Sequence, residues 1–221
     1  MRPDRGGDRR GLSAFLTGAG AGAAGGGGPI VAERRPGDRY LVLVRHGEAA
    51  AGWEGDADPG LSDRGRAQAA RAAADLAVLA GTPVVASPLR RTRETAAPIA
   101  AALGVDVSVD AAVGEVVTPP AFAALDQRGP WLRELMAGRW ADADPEVAAW
   151  RSGVASALAA LPGDTVVVTH FVAINAAVGA ALGDDRVVAF RPGNCSRTVL
   201  RIGDDGTTVA RLGDEASSVV T

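Results

Sequence analysis

The feature that most constrains the fold of this chain is an apolar run that ends abruptly in charged residues. Residues 40–44 read Tyr-Leu-Val-Leu-Val and lead directly into Arg45 and His46. A short continuous apolar run of this kind is typical of a strand buried on both faces of a parallel sheet. Open α/β sheets bind their ligands at the carboxyl ends of such strands. The sequence therefore predicts a buried strand, Tyr40–Arg45, that carries an arginine and a histidine to a site.

The second of the chain's two histidines follows a similar run. The segment Thr165–Thr169 reads Thr-Val-Val-Val-Thr, and His170 comes next. Because the carboxyl ends of parallel strands meet at one edge of a sheet, we expect His46 and His170 to lie in the same crevice.

The alternation of strand and helix signals predicts the fold class. Ser62 is a suitable N-cap for a helix, a short strand follows at Pro83–Ala86, and Pro88 begins a helix that runs to Leu103. The other expected helical segments are Ala121–Gln127, Trp131–Gly138, Pro145–Leu161 and Val172–Leu182, and the other expected strands are Val105–Val109, Arg186–Phe190, Arg197–Ile202 and Thr207–Leu212. This order predicts an α/β three-layer sandwich, with helices on both faces of a mostly parallel sheet that is mixed at one edge.

The N-terminal stretch differs in composition from the rest of the chain. Residues 18–28 are almost entirely Gly and Ala, which bury too little apolar surface to offset the entropy lost on ordering. We therefore expect a flexible extension over residues 1–38 and a folded domain over 39–221, with an insert over about 115–145.

Two other interpretations of the extension are weaker. The glycines at 25–28 could form a phosphate loop, but no strand precedes them and no lysine is present. Arg9 and Arg10 could begin a twin-arginine export signal, but the segment 12–24 is too rich in Gly and Ala for its apolar region. A cytoplasmic protein is expected, with export as the alternative.

Charge and cysteine content exclude several classes of protein. The net charge is −3, which gives no reason to expect a nucleic-acid partner. All 23 basic residues are arginines, so no lysine can act as a base or a Schiff-base former. The single Cys195 cannot form an internal disulfide and is expected to be a buried apolar side chain. No apolar run is long enough to cross a membrane.

The polar residues that follow the expected strands form a set suited to phosphoryl transfer. They are Arg45, His46, Glu48, Ser87, Arg90, Arg91, Arg93, Glu115 and His170. Guanidinium groups bind phosphate oxygens in a bidentate manner. They also favour the neutral, nucleophilic form of a nearby imidazole. Two histidines with scattered acids make a poor zinc site.

Several motifs occur together in a fixed order. They are Leu43–Glu48 (L-V-R-H-G-E), Gly60–Ala69 (G-L-S-D-R-G-R-A-Q-A), Ser87–Ala96 (S-P-L-R-R-T-R-E-T-A), Val166–His170 (V-V-V-T-H) and Asn194–Ser196 (N-C-S). In this order they resemble the histidine phosphatase superfamily, whose fold is phosphoglycerate mutase-like. The resemblance extends from Tyr40 to Leu212.

The resemblance implies a role for each matching residue. His46 would attack phosphorus and carry the phosphoryl group. Arg45, Arg91 and His170 would bind the phosphoryl oxygens and stabilise the charge of the transition state. Glu115 would protonate the leaving oxygen and then activate water. Neither a cofactor nor a metal ion is implied.

Some assignments stay open or depart from the family pattern. Glu48 and Asp110 are rivals of Glu115 for the role of general acid. Phe171 stands where the family usually has glycine, so its ring would line the pocket while its backbone N–H donates to phosphate. Arg90 and Arg93 are expected at the surface or rim. The family often has an asparagine several residues after the first motif, and residues 49–52 contain none.

The expected insert contains aromatic and basic residues. Its tryptophans and the one that follows are expected to be packing anchors rather than groups that stack on substrate: Trp131, Trp140 and Trp150. Its arginines are either solvated or recognise a second anionic group of a substrate: Arg128, Arg133 and Arg139.

The resemblance favours a phosphatase over a mutase, because the segment between Glu115 and His170 is too short for the long insertion of mutases. The expected partner is a small-molecule phosphate ester, hydrolysed through a phosphohistidine. Three alternatives remain: a protein phosphohistidine phosphatase, a mutase-type phosphotransferase, and a non-catalytic phospho-ligand binder with the same fold.

Overall fold

A computed structural model describes residues 34–52 and 56–216. Within them lies a six-stranded sheet, ordered β3-β2-β4-β1-β5-β6. Its strands are β1 (Arg39–Arg45), β2 (Val84–Ala86), β3 (Val107–Val109), β4 (Thr165–Thr169), β5 (Arg197–Gly203) and β6 (Gly206–Arg211). Strands β1 to β4 are mutually parallel, whereas β5 runs antiparallel to β1 and β6 runs antiparallel to β5. The predicted mixed edge is confirmed.

Helices cover both faces of the sheet. The described α-helices are α1 (Asp63–Leu76), α2 (Arg90–Leu103), α3 (Leu125–Ala137), α4 (Pro145–Ala160) and α5 (Phe171–Leu182). Ser62 is the N-cap of α1, and its hydroxyl accepts a hydrogen bond from the Gly65 N–H at 2.9 Å. Gly104 ends α2 with φ +70°, a left-handed conformation that glycine adopts without steric cost.

Alternate residues of the central strands point into two separate cores, as the period of a strand requires. Val42 and Val44 of β1 pack with α1 and α2 on one face. Leu41 and Leu43 pack with α4 and α5 on the other. The three-layer α/β sandwich predicted from the sequence is therefore confirmed.

A third apolar cluster joins the insert to the domain. Trp131 and Leu132 of α3 are buried together with Phe171 and Val172 at the start of α5. Val116 belongs to the same cluster. The insert is thus packed against the end of the sheet at which His170 lies.

One strand prediction is wrong. Residues 186–190 form no strand, and only an isolated bridge joins Arg186 to Arg139. The reason is a side chain: Oδ1 of the fully buried Asn175 accepts hydrogen bonds from the N–H groups of Ala189 and Phe190 at 2.9 and 3.1 Å. These donors are satisfied without a neighbouring strand.

Three element boundaries also differ from prediction. Helix α2 begins at Arg90 rather than Pro88, because Leu89 is extended, with φ −68° and ψ 145°. The third strand starts at Val107, since the Val105 N–H still bonds to Ala100 O at 3.0 Å as part of the α2 cap. The two helical segments expected over 121–138 contain one longer helix, α3, which includes Pro130.

The described part of the N-terminal stretch contacts the domain. Arg34 donates to Asp164 at 2.8 Å, and the buried Asp38 accepts from Arg201 at 2.8 Å. The expected glycine tract and the Arg9-Arg10 pair lie outside the described residues. Among the residues that are described, no helix has the length and apolarity needed to cross a membrane.

Candidate active site

The two histidines lie side by side where β1 and β4 end. Arg45 is paired with Thr169 in the parallel register of these strands, and the His46 N–H donates to Thr169 O at 2.9 Å. The ring centroids of His46 and His170 are 5.3 Å apart in an edge-to-face arrangement. The structure therefore brings together the two residues that the sequence placed at separate strand ends.

A turn over residues 193–196 braces the backbone at the end of β1. The Cys195 N–H donates to Arg45 O at 2.9 Å, and the Asn194 side-chain amide donates to His46 O at 3.0 Å. Cys195 has φ +57°, which is uncommon for a residue with a Cβ atom. The N-C-S motif thus fixes the backbone from which the His46 side chain projects.

Two motif glycines meet beside His46. A Cβ atom on Gly47 would lie 2.7 Å from Gly65 O, and one on Gly65 would lie 2.1 Å from Glu48 O. Both distances are below 3.0 Å, a separation that a real Cβ atom and a non-bonded heavy atom essentially never show. Gly47 and Gly65 are therefore required for the close approach of the β1 end to the first turn of α1.

Arg91, at the start of α2, joins the other polar groups of the site. Its Nε donates to His46 Nε2 at 3.2 Å, and its Nη2 lies 3.2 Å from His170 Nδ1. Nη2 is also 3.5 Å from Glu115 Oε2, which is itself 3.4 Å from His170 Nδ1. Arg91 is only 5% exposed. One guanidinium thus contacts both imidazoles and the carboxylate.

The contacts of His46 fix its tautomer, because a guanidinium has no acceptor atom. His46 accepts at Nε2, so its proton lies on Nδ1, which is 2.7 Å from Gly47 O. His170 Nδ1 lies 3.2 Å from Arg91 Nη2 and 3.4 Å from Glu115 Oε2, and its Nε2 lies 2.8 Å from Ser87 Oγ, a hydroxyl that can donate or accept. The Nε2 lone pair of His46 is therefore directed toward Arg91.

Burial and positive charge keep both imidazoles neutral. Burial lowers the pKa of His46 well below its usual value of 6.5, and His170, Arg91 and Arg45 lower it further. Burial, then Arg91, Arg45 and Arg128, lower the pKa of His170 in the same direction. Since a neutral imidazole is the nucleophilic form, the surroundings of His46 suit covalent catalysis.

Arg45 completes the cationic side of the site. Its Nη1 donates to Pro192 O at 2.9 Å, and its guanidinium lies 5.2 Å from the centroid of the Phe171 ring. Burial lowers the pKa of Arg45 to about 10, so it stays charged at neutral pH. Its buried Nε has no hydrogen-bond partner among the described residues, and an anion at the site would supply an acceptor.

The acidic candidates separate clearly by position. Glu115 follows a short turn after β3, and its side chain is 8% exposed against Arg91 and His170. Glu48 instead accepts from Ser62 Oγ at 2.8 Å, and Asp110 accepts from the Ala112 N–H at 2.8 Å. Glu48 and Asp110 thus bond to groups at the start of helices rather than to the histidines.

The remaining predicted residues lie at different distances from the site. Arg90 pairs with Glu94 at 2.6 Å, and Arg93 is exposed. Trp131 and Trp140 are buried in the insert cluster, with Trp150 packed against it. These three tryptophans therefore have the surroundings of packing anchors.

Some residues near the site had no role assigned from the sequence. Ser87 contacts His170, and Thr95 Oγ1 accepts from the Gly47 N–H at 3.0 Å. Asp58 Oδ1 accepts from the Arg90 N–H at 2.7 Å and lies 4.0 Å from Arg91 Nη1. Ser87 and Thr95 fall within the S-P-L motif, which was the available signal. Asp58 lies in a loop that belongs to none of the motifs, so the sequence carried no signal for its position near Arg91.

The sequence over residues 41–215 matches the profile of the histidine phosphatase superfamily, branch 1. Over 81 residues it is 40% identical to glucosyl-3-phosphoglycerate phosphatase of Mycolicibacterium vanbaalenii, covering 35% of this chain and 36% of that protein. Over 107 residues it is 33% identical to a probable phosphoglycerate mutase of Escherichia coli, covering 44% of this chain and 50% of that protein. The matches thus span half or less of these curated relatives.

Solved structures extend the similarity over the whole domain. The structure of mycobacterial glucosyl-3-phosphoglycerate phosphatase matches 82% of this chain and 100% of its own, with 26% identity and a TM-score of 0.59. The Bacillus stearothermophilus protein YhfR, at 20% identity, shares the fold, with a TM-score of 0.67 over 80% of this chain and 98% of its own. Because the family profile covers most of its length, this chain belongs to the histidine phosphatase superfamily.

Proposed function

We propose that the protein hydrolyses the phosphate monoester of a small metabolite through a phosphohistidine intermediate on His46. The observation that carries this proposal is the position of Arg91, whose guanidinium contacts His46, His170 and Glu115 together. A planar set of donors between two neutral imidazoles and a carboxyl group is suited to binding a phosphoryl group during its transfer.

The proposed first step transfers the phosphoryl group to the protein. The Nε2 lone pair of His46 attacks phosphorus, and the bond between phosphorus and the ester oxygen breaks. Arg45, Arg91, the backbone N–H of Phe171 and a ring N–H of His170 donate to the phosphoryl oxygens. Glu115, protonated, gives its proton to the departing alcohol.

The proposed second step regenerates the enzyme. Glu115, now a carboxylate, removes a proton from a water molecule that attacks phosphorus. The bond between phosphorus and His46 Nε2 breaks, inorganic phosphate leaves, and Glu115 is protonated again. No metal takes part in this scheme. Within the residues that the structure describes, no three His, Cys, Asp or Glu side chains are grouped to hold one.

The relatives support a small phosphorylated substrate. The two curated relatives are named as a phosphatase and a probable mutase of phosphoglycerate-type compounds, and both match only part of their length. We place the catalytic domain at residues 39–221 and the substrate-selecting insert at about 115–145. Water is proposed as the final acceptor because the insert is short.

Hydrolysis of p-nitrophenyl phosphate tests the proposal. We expect turnover that is unchanged by a chelator and abolished in His46→Ala, while the surface variant Arg93→Ala keeps wild-type activity. Loss of activity in the chelator would contradict the metal-free scheme. An absence of turnover on a panel of phosphate esters, with phosphate binding retained, would instead identify a non-catalytic binder.

A further inference from the structure

The hydroxyl of Thr169 joins the end of β4 to the turn that leads to Glu115. Its Oγ1 donates to Val113 O at 2.6 Å, and Val113 stands two residues before Glu115 in the chain. Thr169 and Val113 are each only 2% exposed, so this hydrogen bond is shielded from water. A buried hydrogen bond of this length holds the two segments at a fixed separation.

The backbone of the same residue contacts the segment of the proposed nucleophile. Thr169 O accepts from the His46 N–H at 2.9 Å, and His170 is the next residue along the chain. Thr169 therefore bonds through its carbonyl to the end of β1 and through its side chain to the turn before Glu115. It connects the segment that carries the proposed nucleophile to the segment that carries the proposed acid.

Two other hydrogen bonds of that turn do not involve a strand that carries a histidine. The Asp110 N–H donates to Ala86 O at the end of β2, at 2.9 Å. The Gly114 N–H donates to Ala111 O within the turn, at 3.0 Å. The Thr169 hydroxyl, by contrast, ties the turn to β4, so it can set the position of the turn relative to the two histidines.

The side-chain contacts of Glu115 are too long to fix its carboxyl group by themselves. Its Oε2 lies 3.4 Å from His170 Nδ1 and 3.5 Å from Arg91 Nη2. Both distances exceed the usual range of about 2.7–3.2 Å for a hydrogen bond from nitrogen to oxygen. Its Oε1 accepts from the adjacent Val116 N–H at 3.0 Å, a contact that moves with the segment itself. The position of the carboxyl group in the site therefore depends on how its backbone is held.

We propose that Thr169 is a positioning residue for the general acid, whose hydroxyl holds Glu115 at the correct distance from His46. In an in-line displacement the leaving oxygen lies opposite the attacking nitrogen, so the acid must be held across the phosphoryl group from His46. A misplacement of about 1 Å can lower the rate of such a step by about 10²-fold. This inference rests on the proposed phosphatase function and adds a residue to the same site.

The near-isosteric variant Thr169→Val tests the inference, because it removes the hydroxyl and keeps the branched shape of the side chain. Phenyl phosphate and p-nitrophenyl phosphate share an aromatic ring, but phenolate is the poorer leaving group and depends more on the acid. The quantity to compare is kcat/KM, which covers only the steps up to release of the phenol. We expect Thr169→Val to lower it about tenfold for phenyl phosphate and less than about threefold for p-nitrophenyl phosphate.

The matched control is Thr165→Val, at the other end of β4, where the buried residue's hydroxyl donates to Gly163 O at 3.0 Å. This variant also loses a threonine hydrogen bond, but it should leave the ratio of the two kcat/KM values unchanged. Thr169→Ser keeps the hydroxyl and should restore most of the rate on phenyl phosphate. Thr169→Ala carries the comparison if Thr169→Val does not fold.

The outcomes separate this inference from the proposed function. Equal slowing of both esters in the Thr169 variants, an unchanged ratio, or no recovery in Thr169→Ser would overturn the inference alone. A wild type that hydrolyses p-nitrophenyl phosphate but not phenyl phosphate would also overturn it, because no general acid would then be at work. An absence of hydrolysis of any ester would contradict both the inference and the proposed function.

Discussion

The Nε atom of Arg91 lies 3.2 Å from Nε2 of His46. The proposed nucleophile and the proposed phosphate-binding guanidinium are thus in direct contact before any phosphate arrives. Because Arg91 can only donate, Nε2 must carry a lone pair, and the proton of His46 must lie on Nδ1. An arriving phosphoryl group would take over the Arg91 donors and free this lone pair for attack.

The neutral state of His46 predicts the acid side of the pH profile. Burial and three cationic or imidazole neighbours hold the pKa of His46 well below 6.5. Below that pKa, Nε2 carries a proton and cannot attack, so kcat/KM falls as the pH falls. For p-nitrophenyl phosphate we expect this fall to begin below pH 6.5.

The control for the pH profile is Arg45→Gln, which removes one of the positive charges that lower the pKa of His46. The variant is slower, but its acid limb should lie at a higher pH than that of the wild type. The ionisation of the substrate is the same for both proteins and cancels in the comparison. An acid limb at the same pH in both would show that another group controls it.

Glu115→Gln tests the assignment of the general acid. An amide cannot give a proton to the leaving oxygen, so esters of alkyl alcohols should slow by about 10²-fold or more. p-Nitrophenyl phosphate, whose leaving group needs little protonation, should slow much less. Glu48→Gln is the matched control, because the Glu48 carboxylate bonds to Ser62 rather than to the site. Equal slowing of both ester types in Glu115→Gln would remove this residue as the acid.

Ser87→Ala tests how the second imidazole is oriented. Ser87 Oγ lies 2.8 Å from His170 Nε2, and both side chains are fully buried. Loss of the hydroxyl leaves a buried ring nitrogen without its hydrogen-bond partner, at a cost of about 1–3 kcal/mol. We expect the ¹⁵N NMR signals of His170 to show a single tautomer in the wild type and a mixture of tautomers in Ser87→Ala.

The control for that experiment is Ser152→Ala, whose exposed hydroxyl donates to Ala148 O within α4. It should leave both the His170 spectrum and kcat unchanged. An unaltered His170 spectrum in Ser87→Ala would show that Ser87 does not set the tautomer.

Gly65→Ala tests the close approach of α1 to the end of β1. The added Cβ would lie 2.1 Å from Glu48 O, and backbone atoms would have to move. We expect a loss of about 2–4 kcal/mol in the free energy of unfolding, measured by denaturant titration. In Gly153→Ala, within α4, nothing lies within 4 Å of the new atom, so stability should rise by up to about 1 kcal/mol. Equal effects would contradict the steric explanation.

The elements that deliver the histidines could be predicted because their signals are local. β1 and β4 are continuous apolar runs buried on both sides, and no other element type fits such short segments. Ser62 was identified as an N-cap from its residue type and the acidic residue after it. In each case the physical cause lies within a few residues of its effect.

The absence of the predicted strand over residues 186–190 is explained by a residue that is distant in the sequence. Val187 is fully buried, so the apolar pattern was correct. Its N–H donates to Gly138 O, however, and those of Ala189 and Phe190 donate to the Asn175 side chain rather than to a strand. Nothing in the local sequence distinguishes these two ways of satisfying the backbone. The joining of α3 through Pro130 likewise depends on the burial of Trp131 and Leu132 against α5.

In the site, too, some features could be predicted from local sequence and others depend on distant residues. The strand ends indicated that His46 and His170 would converge, a motif indicated Arg91, and the family resemblance implied Glu115, with Glu48 and Asp110 as rivals. The contacts that orient these groups, such as Ser87 on His170 and Asn194 on the His46 carbonyl, depend on turn geometry. Arg128 and Arg139 could be named together from the sequence, but the half-burial of Arg128 and the pairing of Arg139 with Asp185 depend on the fold.

The central claim is that His46 carries the phosphoryl group. The most direct measurement uses a substrate with a radioactive phosphoryl group and stops the reaction within milliseconds, followed by peptide mapping. We predict an acid-labile, alkali-stable label on the peptide that contains His46, formed and lost at rates that account for turnover, and absent in His46→Ala. Turnover without any label on His46 at the earliest times would contradict covalent catalysis by this residue.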